Sequence, residues 1–174
     1  MTERQRLLTL MKDDPTLLSR LLFVADAPVL GRVIDSPQRA YSVLAPLVLG
    51  QDREHFAICG LDRWRRVVAT EVLTVGNEDF CIVCPKQIFR WALTQKRAVS
   101  AVILAHNHPS GEATPSTQDI EVTRIVAEAG RVLRLPVLDH LVIGAADRWV
   151  SMANEGYVTN TTTYATMWVS DKGH

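Results

Sequence analysis

The stretch Ala101-Val102-Ile103-Leu104-Ala105-His106-Asn107-His108-Pro109-Ser110-Gly111 decides how this chain is read. Residues 99–105 form an apolar run of strand length broken only by Ser100, the pattern of a strand covered on both faces in an α/β layer structure. It ends abruptly in two histidines, a proline and a glycine, which turn the chain away. Downstream, Thr114-Pro115 predicts a helix start, with Thr114 as cap and Pro115 at the first helical position. Its expected inward stripe is Ile120, Ile125, Val126, Ala129 and Val132 or Leu133, and residues 137–144 read as a further strand. Upstream, Pro85 opens a helix to about Arg97 with Ile88, Phe89, Ala92 and Leu93 inward. Residues 54–61 and 67–75 read as a hairpin around a polar turn, and Ser36-Pro37 caps and opens a helix that stops at Gly50. The order helix, strand, strand, helix, strand, helix, strand predicts a three-layer α/β domain.

Composition agrees with one ordinary globular domain: of 174 residues, 47% are apolar and 22% charged, enough to build a core. Nineteen basic residues balance nineteen acidic ones, so no global charge marks the chain for nucleic acid or an anionic membrane. No apolar run approaches the roughly 20 residues of a membrane-spanning helix, and the first twenty residues lack a signal-peptide core, which predicts a cytoplasmic protein with no membrane partner. Three cysteines do not make a disulfide framework. Leucines between residues 3 and 23, interrupted by Asp13-Asp14-Pro15, predict two short amphipathic helices. The expected organisation is a helical extension over residues 1–35, a catalytic domain over 36–152 and a polar tail over 153–174.

The chemistry concentrates where the strand ends, the place where open α/β sheets build their sites. In an extended segment His106 and His108 lie on one side, so two neutral ring nitrogens can converge on a cation. Asp119, on the first turns of the next helix, can return a carboxylate to the pair. Two histidines and one carboxylate leave a fourth position of a tetrahedral zinc ion for water, the arrangement of a catalytic site. Ser116 and Asp119 also have the spacing of a capping box. With Thr114 as the expected cap, they are instead left one turn apart on a single face, free for other work.

His106-x-His108, seven residues, Ser116, two residues, Asp119 matches without a gap the metal motif of the JAMM metalloprotease superfamily. The segments Val102-Ile103-Leu104-Ala105-His106-Asn107-His108-Pro109-Ser110-Gly111, Pro115-Ser116 and Leu138-Asp139-His140 resemble the RadC-like branch of bacterial JAB domains, over about residues 36–151. The resemblance implies a cytidine-deaminase-like α/β/α sandwich of the JAB/MPN type with a mixed sheet, one zinc ion per chain, and a catalytic glutamate from an earlier strand. Glu54 falls at the helix-to-strand junction that carries this glutamate; Glu71, within the second hairpin strand, and Glu78, in the loop after it, are the rivals. The implied activity is hydrolysis of an amide bond in a peptide or a ubiquitin-like protein. On this reading Glu54 is expected to act as general base and then acid, and Ser116 to donate a hydrogen bond to the oxyanion or orient the water. The segment before Ser36 is short for the helix-hairpin-helix region of longer RadC-type proteins, so a stand-alone domain is expected.

Two other readings stay open at this point. One is a RadC-type, metal-dependent protein acting on nucleic acid, for which the basic turn Arg63-Trp64-Arg65-Arg66 is the only local support; the other is a JAB scaffold without activity. Cys59, Cys81 and Cys84 read as buried or half-buried thiols, since a lone C-x-x-C is weak evidence for a redox or metal site. Asp139 and His140 point to opposite faces, so at most one can support a metal ligand. The N-terminal leucines predict a helical cover or a homodimer contact.

Overall fold

The computed structural model describes residues 29–76, 83–145 and 147–158. The N-terminal leucines, Glu78, Cys81 and most of the C-terminal tail lie outside the described residues. Helix α1 (Pro37–Val48) begins as expected, with the Ser36 hydroxyl accepting the Arg39 amide at 3.3 Å, and the chain leaves it through Gly50 at a φ of 73°. Then come β1 (His55–Leu61), β2 (Val67–Val75), α2 (Pro85–Leu93), β3 (Ala101–Asn107), α3 (Thr117–Leu133), β4 (Val137–Ile143) and β5 (Trp149–Ser151). The strands form one mixed sheet in the order β2-β1-β3-β4-β5. Only β3 and β4 run parallel; β1 is antiparallel to β2 and β3, and β5 to β4.

Helix α1 covers one face of the sheet, over Ala57, Cys59, Leu61, Ile103 and Ala105. Helices α2 and α3 cover the other, over Phe56, Ile58, Val102 and Leu104. The alternation along β1 and β3 is that of strands buried on both sides, and the result is an α/β/α sandwich. Among the described residues no helix is long and apolar enough to cross a membrane.

Four expectations need correction. The buried stripe of α3 is Thr123, Val126, Ala127 and Gly130, while Ile125, Val132 and Leu133 are exposed. The reason is close packing: a Cβ on Gly130 would stand 2.6 Å from the Leu135 carbonyl and 3.2 Å from Phe89. Small residues therefore mark this face and the larger aliphatics turn outward. Leu93, at the end of α2, is also exposed. The three-residue strand β5 has no periodicity that a sequence pattern could reveal. Helix α3 starts at Thr117 with Ser116, not Thr114, as its N-cap.

Candidate metal centre

β3 carries His106 to the site. Its side chain falls on the α3 side of the sheet, buried, with its ring parallel to Phe56 at a centroid distance of 6.2 Å. Two residues later His108 leaves the strand, its amide still bonded to the Ile143 carbonyl at 2.8 Å. The loop then doubles back through Gly111, whose φ of 81° suits glycine. The Gly111 carbonyl approaches Gly144 so closely that a Cβ there would lie 2.3 Å from it. This fold brings the Glu112 carbonyl within 2.9 Å of His108 Nδ1, which donates to it and leaves Nε2 facing inward.

The return of the chain at α3 supplies the carboxylate. The Ser116 amide and hydroxyl donate to Asp119 Oδ2 at 2.7 and 2.6 Å, and the Ser116 oxygen accepts the Asp119 amide at 3.1 Å. This is a complete capping box, contrary to the expectation that the pair would be free of one. Pro115 sits before the cap, so Ser116 is the first residue able to receive the amide. Capping and site are compatible because a carboxylate has two oxygens and several lone pairs. Asp119 Oδ1 lies 3.1 Å from His106 Nε2 and Oδ2 lies 3.3 Å from His108 Nε2, while the two Nε2 atoms are 3.0 Å apart.

One donor atom from each of His106, His108 and Asp119 falls within 4.8 Å of the others, a group that could hold a metal ion. The electrostatics agree. Burial opposes ionisation of Asp119, but hydrogen bonds from His106, His108 and Ser116 outweigh it and hold the carboxyl well below the usual carboxylate range. His108 is raised, first by its hydrogen bond with Asp119 and against burial. The group floors an open cleft of about 240 Å³ whose walls include Glu54, Phe56, Val83, Gln118 and Val122.

Glu54 is brought to the rim of this cleft, with Oε1 3.9 Å from His106 Nε2. Glu71 is not: it lies on β2, exposed, where its carboxylate accepts a hydrogen bond from Trp91 Nε1. Cys59 lies on the α1 side of the sheet, its thiol pushed up to about 12 by burial. Cys84 caps α2 beside Gln87. The basic turn stands at the other end of β1, with the Arg63 guanidinium 3.9 Å above the exposed Trp64 ring.

His140 and Asp139 divide as their adjacency requires. His140 Nε2 is 2.9 Å from His106 Nδ1. Asp139 accepts from the His140 and Ala153 amides and from the Ser151 hydroxyl, tying β5 and the turn after it to β4. Burial raises the Asp139 pKa, partly offset by those bonds. Sequence reasoning passed over Thr123 and Asn107. The hydroxyl of Thr123 is 2.6 Å from His140 Nδ1, but a threonine on a helix face gives no signal in a hydrophobic pattern.

A model of the RadC-like JAB domain matches residues 34–157, which contain the whole sheet and the three-donor group. The chain belongs to the RadC-like JAB domain family. It is 39% identical over 127 residues to a UPF0758 protein of Methanosarcina mazei, covering 73% of this chain and 54% of that one. A UPF0758 protein of Thermosynechococcus vestitus is 42% identical over 115 residues, 66% of this chain and 45% of the relative. Another, from Desulfitobacterium hafniense, is 37% identical over 133 residues, 76% and 57% of the two chains. This RadC-like JAB domain chain thus spans about half the length of the relatives it matches.

Proposed function

We propose that the protein is a zinc-dependent hydrolase of amide bonds, a metallopeptidase or isopeptidase, with one zinc ion held by His106, His108 and Asp119. The observation that carries this reading is the place of Glu54. It stands outside the three-donor group but 3.9 Å from one of its nitrogens, at the rim of the same cleft. Two imidazoles and one carboxylate form a nitrogen and oxygen donor set that suits zinc and leaves a coordination position open. When bound, the ion supplies Lewis acidity to water and to a carbonyl oxygen.

The remaining chemistry falls to the chain. Glu54 accepts a proton from the attacking water as its oxygen bonds to the carbonyl carbon. It then delivers that proton to the amine nitrogen as the carbon–nitrogen bond breaks, and ends as a carboxylate again. Phe56, Val83 and Val122 give the cleft an apolar wall for aliphatic substrate groups. Ser116 acts first through Asp119, whose Oδ2 it holds; it can donate to an oxyanion only when its single hydroxyl proton swings away from that oxygen. The substrate class this favours is a peptide or the extended tail of a ubiquitin-like protein. A panel of fluorogenic peptides and isopeptide-linked conjugates tests it. Cleavage should disappear on chelation and return with zinc, and hydrolysis that persists in metal-stripped protein would overturn the reading.

A further inference from the structure

Thr123 and His140 lie outside the three-donor group, yet both are fully buried and both are bonded into it. The Thr123 hydroxyl oxygen is 2.6 Å from the Asp119 backbone carbonyl and 2.6 Å from His140 Nδ1, and His140 Nε2 is 2.9 Å from His106 Nδ1. One arrangement of protons satisfies all three contacts. A carbonyl oxygen carries no proton, so the contact with Asp119 uses the only hydroxyl proton of Thr123. Met152 Sδ, 3.3 Å from the same oxygen, is too weak an acceptor to compete for it. Towards His140 the hydroxyl can therefore only accept, which places a proton on His140 Nδ1. Among the described residues the buried His140 ring meets the Thr123 hydroxyl and His106 and no carboxylate that could balance a charge, so it carries a single proton, has a bare Nε2, and this must accept from a proton on His106 Nδ1.

We infer that Thr123 and His140 are positioning residues that set the polarity of this chain and so keep His106 Nδ1 protonated and Nε2 available to a metal ion. The inference rests on reading His106, His108 and Asp119 as a metal site, and it deepens that reading. Asp119 Oδ1, 3.1 Å from His106 Nε2, works in the opposite direction by attracting a proton to that nitrogen. Were the chain reversed, His140 would donate from Nε2 to His106 Nδ1 and the His106 proton would sit on Nε2, between the ring and the metal. The direction is fixed from the helix backbone, because the Asp119 carbonyl cannot change from acceptor to donor. His108 has the equivalent device in simpler form, its Nδ1 held by the Glu112 carbonyl. Metal ligands supported in this way lose about 10- to 100-fold in affinity when the support is removed.

The test uses the full chain labelled with ¹⁵N-histidine, together with zinc affinity from competition with a chromophoric chelator. In metal-free wild type, long-range ¹H–¹⁵N correlations should show His140 as the Nδ1–H tautomer. Thr123→Val keeps the side-chain shape and removes the hydroxyl; it should move His140 to the Nε2–H tautomer and weaken zinc binding about 10- to 100-fold. Thr123→Ser should restore both to wild type. If Thr123→Val does not fold, the wild-type spectrum decides by itself, because the order of the chain requires the His140 proton on Nδ1. Wild-type His140 protonated at Nε2, or a Thr123→Val protein with unchanged tautomer and affinity, would each overturn the inference. A wild type without zinc affinity would overturn the metal reading, while the His140 tautomer in the metal-free protein would still decide the proton order.

Discussion

The side-chain Oδ1 of Asn107 accepts the backbone amide of His55 at 2.7 Å, and its Nδ2 donates to the Arg53 carbonyl at 3.0 Å. The residue between the two histidines thus fastens the backbone on both sides of Glu54. Alternation along β3 makes this possible, because Asn107 points to the α1 side while His106 points to the cleft. Asn107→Ala should leave zinc content intact and destabilise the protein by about 1 kcal/mol, the usual net worth of hydrogen bonds to half-buried backbone groups. Amide exchange at residues 51–55 should rise and hydrolysis should fall. Unchanged exchange in this segment would show that the clamp does not hold it.

Metal content separates the three donors from the thiols. Purified protein should bind about one zinc, the number a single three-ligand site holds, and His108→Ala should lose it. Changing Cys59, Cys81 and Cys84 together to serine should not alter the content. Full zinc occupancy in a His106→Ala, His108→Ala double variant, by elemental analysis, would sink the site assignment.

Glu54 and Asp119 should fail in different ways. Glu54→Gln removes the proton acceptor and keeps the donor group, so zinc content should stay while turnover drops about 10²- to 10⁴-fold. Asp119→Asn weakens a donor and should reduce both affinity and rate. Wild-type turnover in Glu54→Gln, with Glu78→Gln inactive and still loaded, would move the general base to the other loop.

Asp139 gives a pH signature in the metal-free protein. Burial raises its folded pKa, so its contribution to stability is complete below the unfolded value of about 3.9 and is lost as pH rises through the folded value. Asp139→Asn keeps an oxygen for the His140 and Ala153 amides and does not ionise. Denaturant titrations should therefore show the variant gaining on wild type as pH increases from 4 towards neutrality. A difference that narrows or reverses in the other direction would contradict the role of burial.

The basic turn offers a cheap test of a nucleic-acid role. At physiological salt, duplex DNA should bind no more tightly than the non-specific range of about 10⁻⁴ to 10⁻⁶ M. A nanomolar, salt-sensitive complex abolished by replacing Arg63, Arg65 and Arg66 would instead make that turn a binding surface.

What the sequence disclosed follows from which signals are local. The buried strand, the His-x-His spacing and the junction at Glu54 depend on residues close in sequence, and the structure places them together. The identity of the N-cap was misread because Pro115 can sit either inside the first turn or just before it, and only the loop path from Gly111 decides. The face of α3 was misread because packing against Phe89 and the Leu135 carbonyl selects small residues, which carry little hydrophobic signal. Thr123 escaped for the same reason, and Asn107 because its partners are more than fifty positions away.

The parallel pairing of β3 with β4 also determines when the candidate site is complete. It joins Leu104 to His140 across the whole of α3, a long closure that forms late compared with the hairpin of β1 and β2. A nascent chain that has emerged only as far as α3 already contains Glu54, His106, His108 and Asp119, but it has no β4 to seat the loop after His108 or to back His106. The three donors and Glu54 are therefore expected to come together only with completion of the sheet, so that unfinished chains leaving the ribosome carry the site's residues without its geometry.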